Sequence, residues 1–248
     1  MIKLERTSVM NLDNAIRGMR NPMNSWAKSD SEYKTPCTAL GPEEEPHWCN
    51  LCGYDQCGIP AEPIFVIGEN DMKLAKTLIN GGSDDRKFLR QIFVSVDITA
   101  PLYWWKEADT YKVATTANSC STMHKIHAKE FTPADFSHEN LTPRSMQVLN
   151  ATIEELNFWR DIFNNGGAAE DLFGSPVIYE PNDKTAWLQM IELLPTSYNQ
   201  MRTWTGNYEN LLNMYYARRN HKLQEWKDMC DWILTLPYTR EFFLKEET

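Results

Sequence analysis

The sequence predicts an α+β fold in which helices dominate and strands are few and well separated. Apolar residues recur at steps of three and four in Met146, Leu149, Ile153, Leu156, Trp159 and Phe163, the period of one helical face. Val94, Val96 and Ile98 instead alternate with Ser95 and Asp97, which is the period of a strand. Asn, Gly and Pro punctuate the chain at Asn21-Pro22, Asn80-Gly81-Gly82, Asn164-Asn165-Gly166-Gly167, Pro195 and Pro237, so the elements are discrete.

Taken in order, residues 2–9 read as a strand, and Asn11 or Asp13 caps a short helix over Asn14–Met19. Residues 29–63 carry Ser, Pro, Gly, Glu43-Glu44-Glu45 and a cluster of cysteines without an apolar period. This stretch is an insertion, too long for an unsupported loop unless something staples it. Ile64–Ile67 is a short strand. Asp71 then caps a helix with Met72, Leu74, Ala75, Leu78 and Ile79 on its apolar side. A strand over 92–98 leads to Pro101, which suits the first turn of a helix running to Lys112. Helices follow over 144–164, 184–194, about 205–219 and 222–235, the last with Leu223, Trp226, Cys230 and Ile233 on one face. The expected organisation is a single domain across 1–248 with the inserted segment at about 29–63.

A chain of 248 residues with 42% hydrophobic and 24% charged residues has ample material for a buried core. Its formal net charge of −9 excludes a broad electrostatic grip on polymeric nucleic acid, while a local basic pocket for one or two phosphates is compatible with it. No apolar run approaches the roughly 20 residues that span a bilayer, so no membrane partner is expected. The opening MIKLERTSVM lacks the apolar core of a signal peptide, and a cytoplasmic location is expected.

In that compartment clustered cysteines point to metal rather than disulfides. Cys49-Asn50-Leu51-Cys52-Gly53 has the shape of a zinc knuckle, two thiolates splayed about one ion with Gly permitting the tight turn. Cys57, with Cys37 or His47, completes a tetrahedron, so four of Cys37, His47, Cys49, Cys52 and Cys57 are candidate zinc ligands. Free thiols or a redox-labile pair are the alternatives.

The richest stretch is Val96–His124. Trp104 and Trp105 read either as core and subunit interface or as a stacking surface for a planar ligand. The run Asn118-Ser119-Cys120-Ser121-Thr122-Met123-His124 presents amide, hydroxyl, thiol and imidazole groups together. It is either an active-site segment or a capping loop, since the same residue types favour turns and caps. Cys120 is either a nucleophile, if Lys112 or His124 favours its thiolate, or a small buried hydrophobe.

Further on come Leu194-Pro195, Trp204-Thr205-Gly206-Asn207, Leu211-Leu212-Asn213, Arg218 and His221. Together with the strand ending Ile98-Thr99-Ala100-Pro101 and the polar run, this series resembles the flavin-dependent thymidylate synthases over roughly 65–235. That family methylates dUMP in dTMP biosynthesis using FAD, NADPH and methylenetetrahydrofolate. The resemblance implies an α+β fold with a small central sheet of antiparallel character flanked by helices. It also implies a homotetramer whose active sites form where subunits meet. The family signature is Arg-His-Arg, two residues, Ser, four residues, Ser, one residue, Arg-Tyr. Here those positions hold Thr110-Tyr111-Lys112, Thr115, Cys120 and Thr122-Met123, while the family's upstream Gln falls at Glu107 and its acidic residue at Asn118. By resemblance, Asn118, Cys120 and Thr122 occupy catalytic positions. Lys112, Asn207 and His221 face the cofactor, and Arg218 and Ser119 face a pyrimidine deoxynucleotide. The expected reaction is one-carbon transfer to C5 of a deoxyuridine nucleotide, methylation or hydroxymethylation. Most of the family's arginines are gone, with Lys106, Arg202, Arg219 and Lys222 as possible replacements. The rival reading is therefore a non-catalytic nucleotide-binding or scaffold protein on the same fold.

Overall fold

The computed structural model describes residues 2–34, 63–171 and 173–244. The chain divides into two compact units: the first takes residues up to Thr7, Ser95–Thr205 and Ala217–Trp232, the second Ser8–Val94, Gly206–Tyr216 and the residues from Ile233 on. Of the segment expected as an insertion at about 29–63, residues 35–62 lie outside the described residues, and with them the metal candidates Cys37, His47, Cys49, Cys52 and Cys57. Among the described residues no helix is long and apolar enough to cross a membrane.

The first unit holds most of a four-stranded sheet built from β1 (Lys3–Met10), β4 (Phe93–Pro101), β5 (Thr116–Ser119) and β8 (Asn199–Asn207). Their order across the sheet is β1-β4-β8-β5. The alternation read at 94–98 is the burial pattern of β4: Val96 and Ile98 are buried, while Ser95 and Asp97 bond across to Thr205 and Thr203. β5 is an edge strand antiparallel to β8, with Thr116 opposite Thr205 and Ser119 opposite Arg202. The expected helix 102–112 is shorter, α3 (Leu102–Ala108). The N–H groups of Asp109, Thr110 and Tyr111 close its last turn on Trp105, Glu107 and Ala108 carbonyls. Left-handed Ala114 (φ 56) then turns the chain into β5.

The polar run thus divides between β5 and the single turn α4 (Thr122–Lys125), whose first N–H groups at Met123 and His124 are capped by the Ser121 hydroxyl. The long helix α5 (Pro143–Asn165) packs on α6 (Lys184–Leu193) around Phe131, Phe136, Leu149, Leu156, Trp159 and Met190. Gly166 ends α5 at φ 74, and a Cβ there would lie 3.1 Å from the Tyr179 carbonyl, so the left-handed stop needs glycine. A hairpin of β6 (Gly167–Glu170) and β7 (Pro176–Tyr179) follows.

The second unit contains α1 (Leu12–Gly18), the hairpin β2 (Glu32–Lys34) with β3 (Ile64–Val66), α2 (Glu69–Gly81) and α9 (Thr239–Phe243). Asn11 does stand at the N-cap of α1, but its side-chain N–H goes to the Gln91 carbonyl instead of closing the cap. Asp71 is not the cap of α2, a position held by Gly68. It lies inside the helix, fully buried, with Oδ1 2.5 Å from Arg20 Nε and Oδ2 accepting from the hydroxyls of Ser29 and Ser31. Burial alone would raise the Asp71 carboxyl; the hydrogen bonds from Ser29, Ser31 and Arg20 outweigh it and hold its pKa below the ordinary value.

The helix expected over about 205–219 begins only at Tyr208 (α7, Tyr208–Arg218), because 199–207 belongs to strand β8. Helix α8 (Gln224–Ile233) buries Trp226, Cys230 and Ile233, the face its period predicts.

Candidate functional site

Helix α3 starts just after β4, so its side chains stand beside the sheet. Successive positions then serve different surroundings. Trp104 and Trp105 are each 1% exposed and meet edge to face at 4.9 Å, with Trp226 4.8 Å from Trp104. Both tryptophans are core within one chain, with Trp105 also lining a cleft beside the helix.

Glu107, one turn along, is a hub. Its Oε2 accepts from Arg218 Nη1 at 3.0 Å and from Trp226 Nε1 at 2.9 Å, and His221 Nε2 stands 3.5 Å away. Arg218 also donates its Nε to Tyr111 Oη and lies 4.8 Å over the Trp226 ring. Two sequence-predicted residues, Arg218 and His221, are therefore brought together, on a carboxylate of their own chain.

A second cluster forms where β8 passes α3. The Arg202 guanidinium carbon lies over the Trp105 ring, 4.2 Å from its centroid. Its Nε donates to Gln200 Oε1 at 3.0 Å and its Nη1 to Asp109 at 2.8 Å. Gln200, itself buried, passes its amide to the Cys120 carbonyl at 2.7 Å, and the Cys120 N–H donates to the Met201 carbonyl. The end of the polar run is thereby clamped to the strand carrying Arg202.

Beside this cluster opens a cleft of about 270 Å³ lined by Trp105, Asp109, Tyr111, Lys112, Ala117 and Trp204 among others. It combines aromatic walls with an exposed ammonium at Lys112, the makings of a site for a planar group with an anion attached. Asn118, Ser119 and Cys120 are exposed along β5, and Thr122 opens α4. Asn207 belongs to the second unit, 2% exposed, where it exchanges backbone-to-side-chain bonds with Asn210 at the start of α7. Its amide oxygen thus serves the helix cap. Among the described residues no group of three or more His, Cys, Asp or Glu is placed to hold a metal.

Sequence patterning marks Glu107 only as a departure from the family signature, and Arg202 only by its nearness along the chain. The missing signal is strand β8, whose alternation in Gln200, Arg202, Trp204 and Gly206 mixes polar and apolar types on one face and so escapes a hydrophobicity period.

No protein-family model matches the chain. No curated protein matches it by sequence. Among solved structures, the flavin-dependent thymidylate synthase ThyX from Helicobacter pylori, complexed with FAD and dUMP, is similar with a TM-score of 0.58 at 14% identity, over 98% of this chain and 97% of that chain. A second structure of the same enzyme with FAD and dUMP gives the same values. At this identity the likeness is one of fold.

Proposed function

We propose that this chain is a divergent relative of the flavin-dependent thymidylate synthases that binds a pyrimidine deoxynucleotide. Its proposed reaction is one-carbon transfer to C5 of a deoxyuridine nucleotide, methylation or hydroxymethylation, with FAD as cofactor and NADPH and methylenetetrahydrofolate as cosubstrates. The supporting observation is the end-to-end fold likeness to an enzyme complexed with FAD and dUMP, together with the cleft at Lys112. In this reading Asn118, Ser119, Cys120 and Thr122 line the pyrimidine, Lys112 and Arg218 serve phosphates, and Asn207 and His221 serve the cofactor.

Among the described residues, the donors at the cleft fit a single phosphate and do not fit the pyrophosphate of FAD, which calls for several converging cations. Arg218 is held by Glu107 and Arg202 by Asp109, and Lys112, which lines the cleft, is a point charge without a bidentate fork. The reading requires self-association, a homo-oligomer and by resemblance a tetramer, to supply further donors.

Those same ion pairs favour a second reading, a non-catalytic nucleotide-binding or scaffold protein. The purified protein separates the two. A flavin absorbance band, or uptake of added FAD with turnover of dUMP in the presence of both cosubstrates, supports the enzyme. Binding of dUMP by a colourless protein that takes up no FAD supports the second. Absence of binding to either ligand would reject the enzyme and the nucleotide-binding reading and leave a scaffold on the same fold.

A further inference from the structure

We infer that Arg202 is the phosphate-binding cation of the α3–β8 cleft and that Asp109 is its resident competitor, a carboxylate standing where a nucleotide phosphate would sit. The inference rests on the nucleotide-binding reading and deepens it, naming a residue for the phosphate and a device that sets its availability.

Position is the first argument. Trp204 lines the cleft and Arg202 lies two residues earlier on β8, so both side chains leave the same face of the strand. Asp109 and Trp105, the two groups the guanidinium touches beside Gln200, are themselves cleft-lining residues. Across the ladder Arg202 stands opposite Ser119, inside the polar run.

Preorganisation is the second. The guanidinium sits over the Trp105 ring, and the bond from Nε to Gln200 holds its orientation there. Gln200 is a positioning residue here, since its amide also holds the Cys120 carbonyl and so ties the cation to the run expected to meet the base. A flat, oriented guanidinium is the group that recognises a phosphate through paired N–H bonds, which Lys112 alone cannot do.

Exchangeability is the third. Asp109 is half exposed (52%) whereas Arg202 is largely covered (16%), so the carboxylate is the mobile partner. A solvated ion pair is weak, and a phosphate brings more charge and more acceptor oxygens than a carboxylate. Phosphate therefore replaces Asp109 without moving Arg202 from its aromatic seat. The pair also keeps a guanidinium at the cleft from standing uncompensated when no ligand is bound.

The test is titration of the full chain with dUMP and with deoxyuridine, folding being checked by circular dichroism and urea unfolding. Arg202→Gln should weaken dUMP about ten- to a hundredfold while changing deoxyuridine little, because only the phosphate contact is lost. Arg202→Lys should recover part of the loss. Asp109→Asn should tighten dUMP by up to about fivefold. That gain should vanish in the Arg202→Gln background, which separates competition at Arg202 from a general change in charge. If wild type binds dUMP and Arg202→Gln binds it equally well, or if Asp109→Asn gains the same factor with and without Arg202, the inference is overturned and the nucleotide reading survives. If wild type binds neither ligand, both are overturned.

Discussion

Replacing Asp71 with Asn should cost more stability than any surface charge in this chain. The Asp71 carboxylate is 0% and the Arg20 side chain 5% exposed, and the pair meets at 2.5 Å. The same carboxylate accepts from Ser29 Oγ at 2.6 Å and from Ser31 through both its hydroxyl (2.5 Å) and its backbone N–H (3.2 Å). Asparagine keeps the shape but removes the charge, and its NH₂ group faces donors where an acceptor oxygen stood. Breaking one side of a buried pair strands the other charge and costs about 3–5 kcal/mol, against about 1 kcal/mol or less for a solvated pair. Urea unfolding of wild type and Asp71→Asn should therefore show a midpoint falling at unchanged slope. Adding Arg20→Met should cost less than the sum of the single changes, since the stranded guanidinium is then gone.

The pH dependence has a definite sign. The folded carboxyl releases its proton more readily than the unfolded one, so its stabilisation is complete above the ordinary 3.8 and is lost as the pH falls through the lower folded value. The gap between wild type and variant should stay flat around neutrality and close only in acid. A loss under about 1 kcal/mol at neutral pH would place this pair with solvated ones and refute the reasoning.

Lys112→Ala should weaken dUMP or FAD binding while leaving stability to urea within about 0.5 kcal/mol of wild type, because an exposed lysine has few packing contacts to lose; unchanged affinity for both ligands removes Lys112 from the site. Cys120→Ser should retain turnover, and wild type treated with 5-fluoro-dUMP should show no covalent adduct by mass spectrometry; an adduct, with activity abolished in the variant, would establish a thiol nucleophile instead. Brief alkylation at mildly alkaline pH should mark exposed Cys120 and spare Cys230, whose thiol is pushed up to about 11 by burial and by neighbouring Asp231. Elemental analysis of protein purified without chelator should find one zinc per chain, held by four of Cys37, His47, Cys49, Cys52 and Cys57; no stoichiometric metal would end that proposal.

The elements legible in the amino-acid order are those whose causes are local. Helices α2, α5 and α6 are legible because an apolar face recurs at helical steps and because Gly82 (φ 106), Gly166 (φ 74) and Pro195 end them through backbone conformations that act within a turn. β4 is legible from its alternation, and a core role for Trp104 and Trp105 is one of the two readings open from their types alone.

Tertiary structure decided what depends on residues far apart. Asp71 has the chemistry of a helix cap and became a buried counter-ion because Arg20, 51 positions away, fills its surroundings. Strand β8 carries no clean period because Gln200 and Arg202 share a face with Trp204, and only the sheet makes Asn199–Asn207 extended. Glu107 gathers Arg218, His221 and Trp226 from more than a hundred residues on, while Arg202 reaches Asp109 across 93. Charge at a site depends on which partners the fold brings within a few ångströms, since Coulomb interaction and desolvation act through space and not along the chain. An arginine's place in a sequence therefore says that a cation is available, and only the packed structure says whether a carboxylate already holds it.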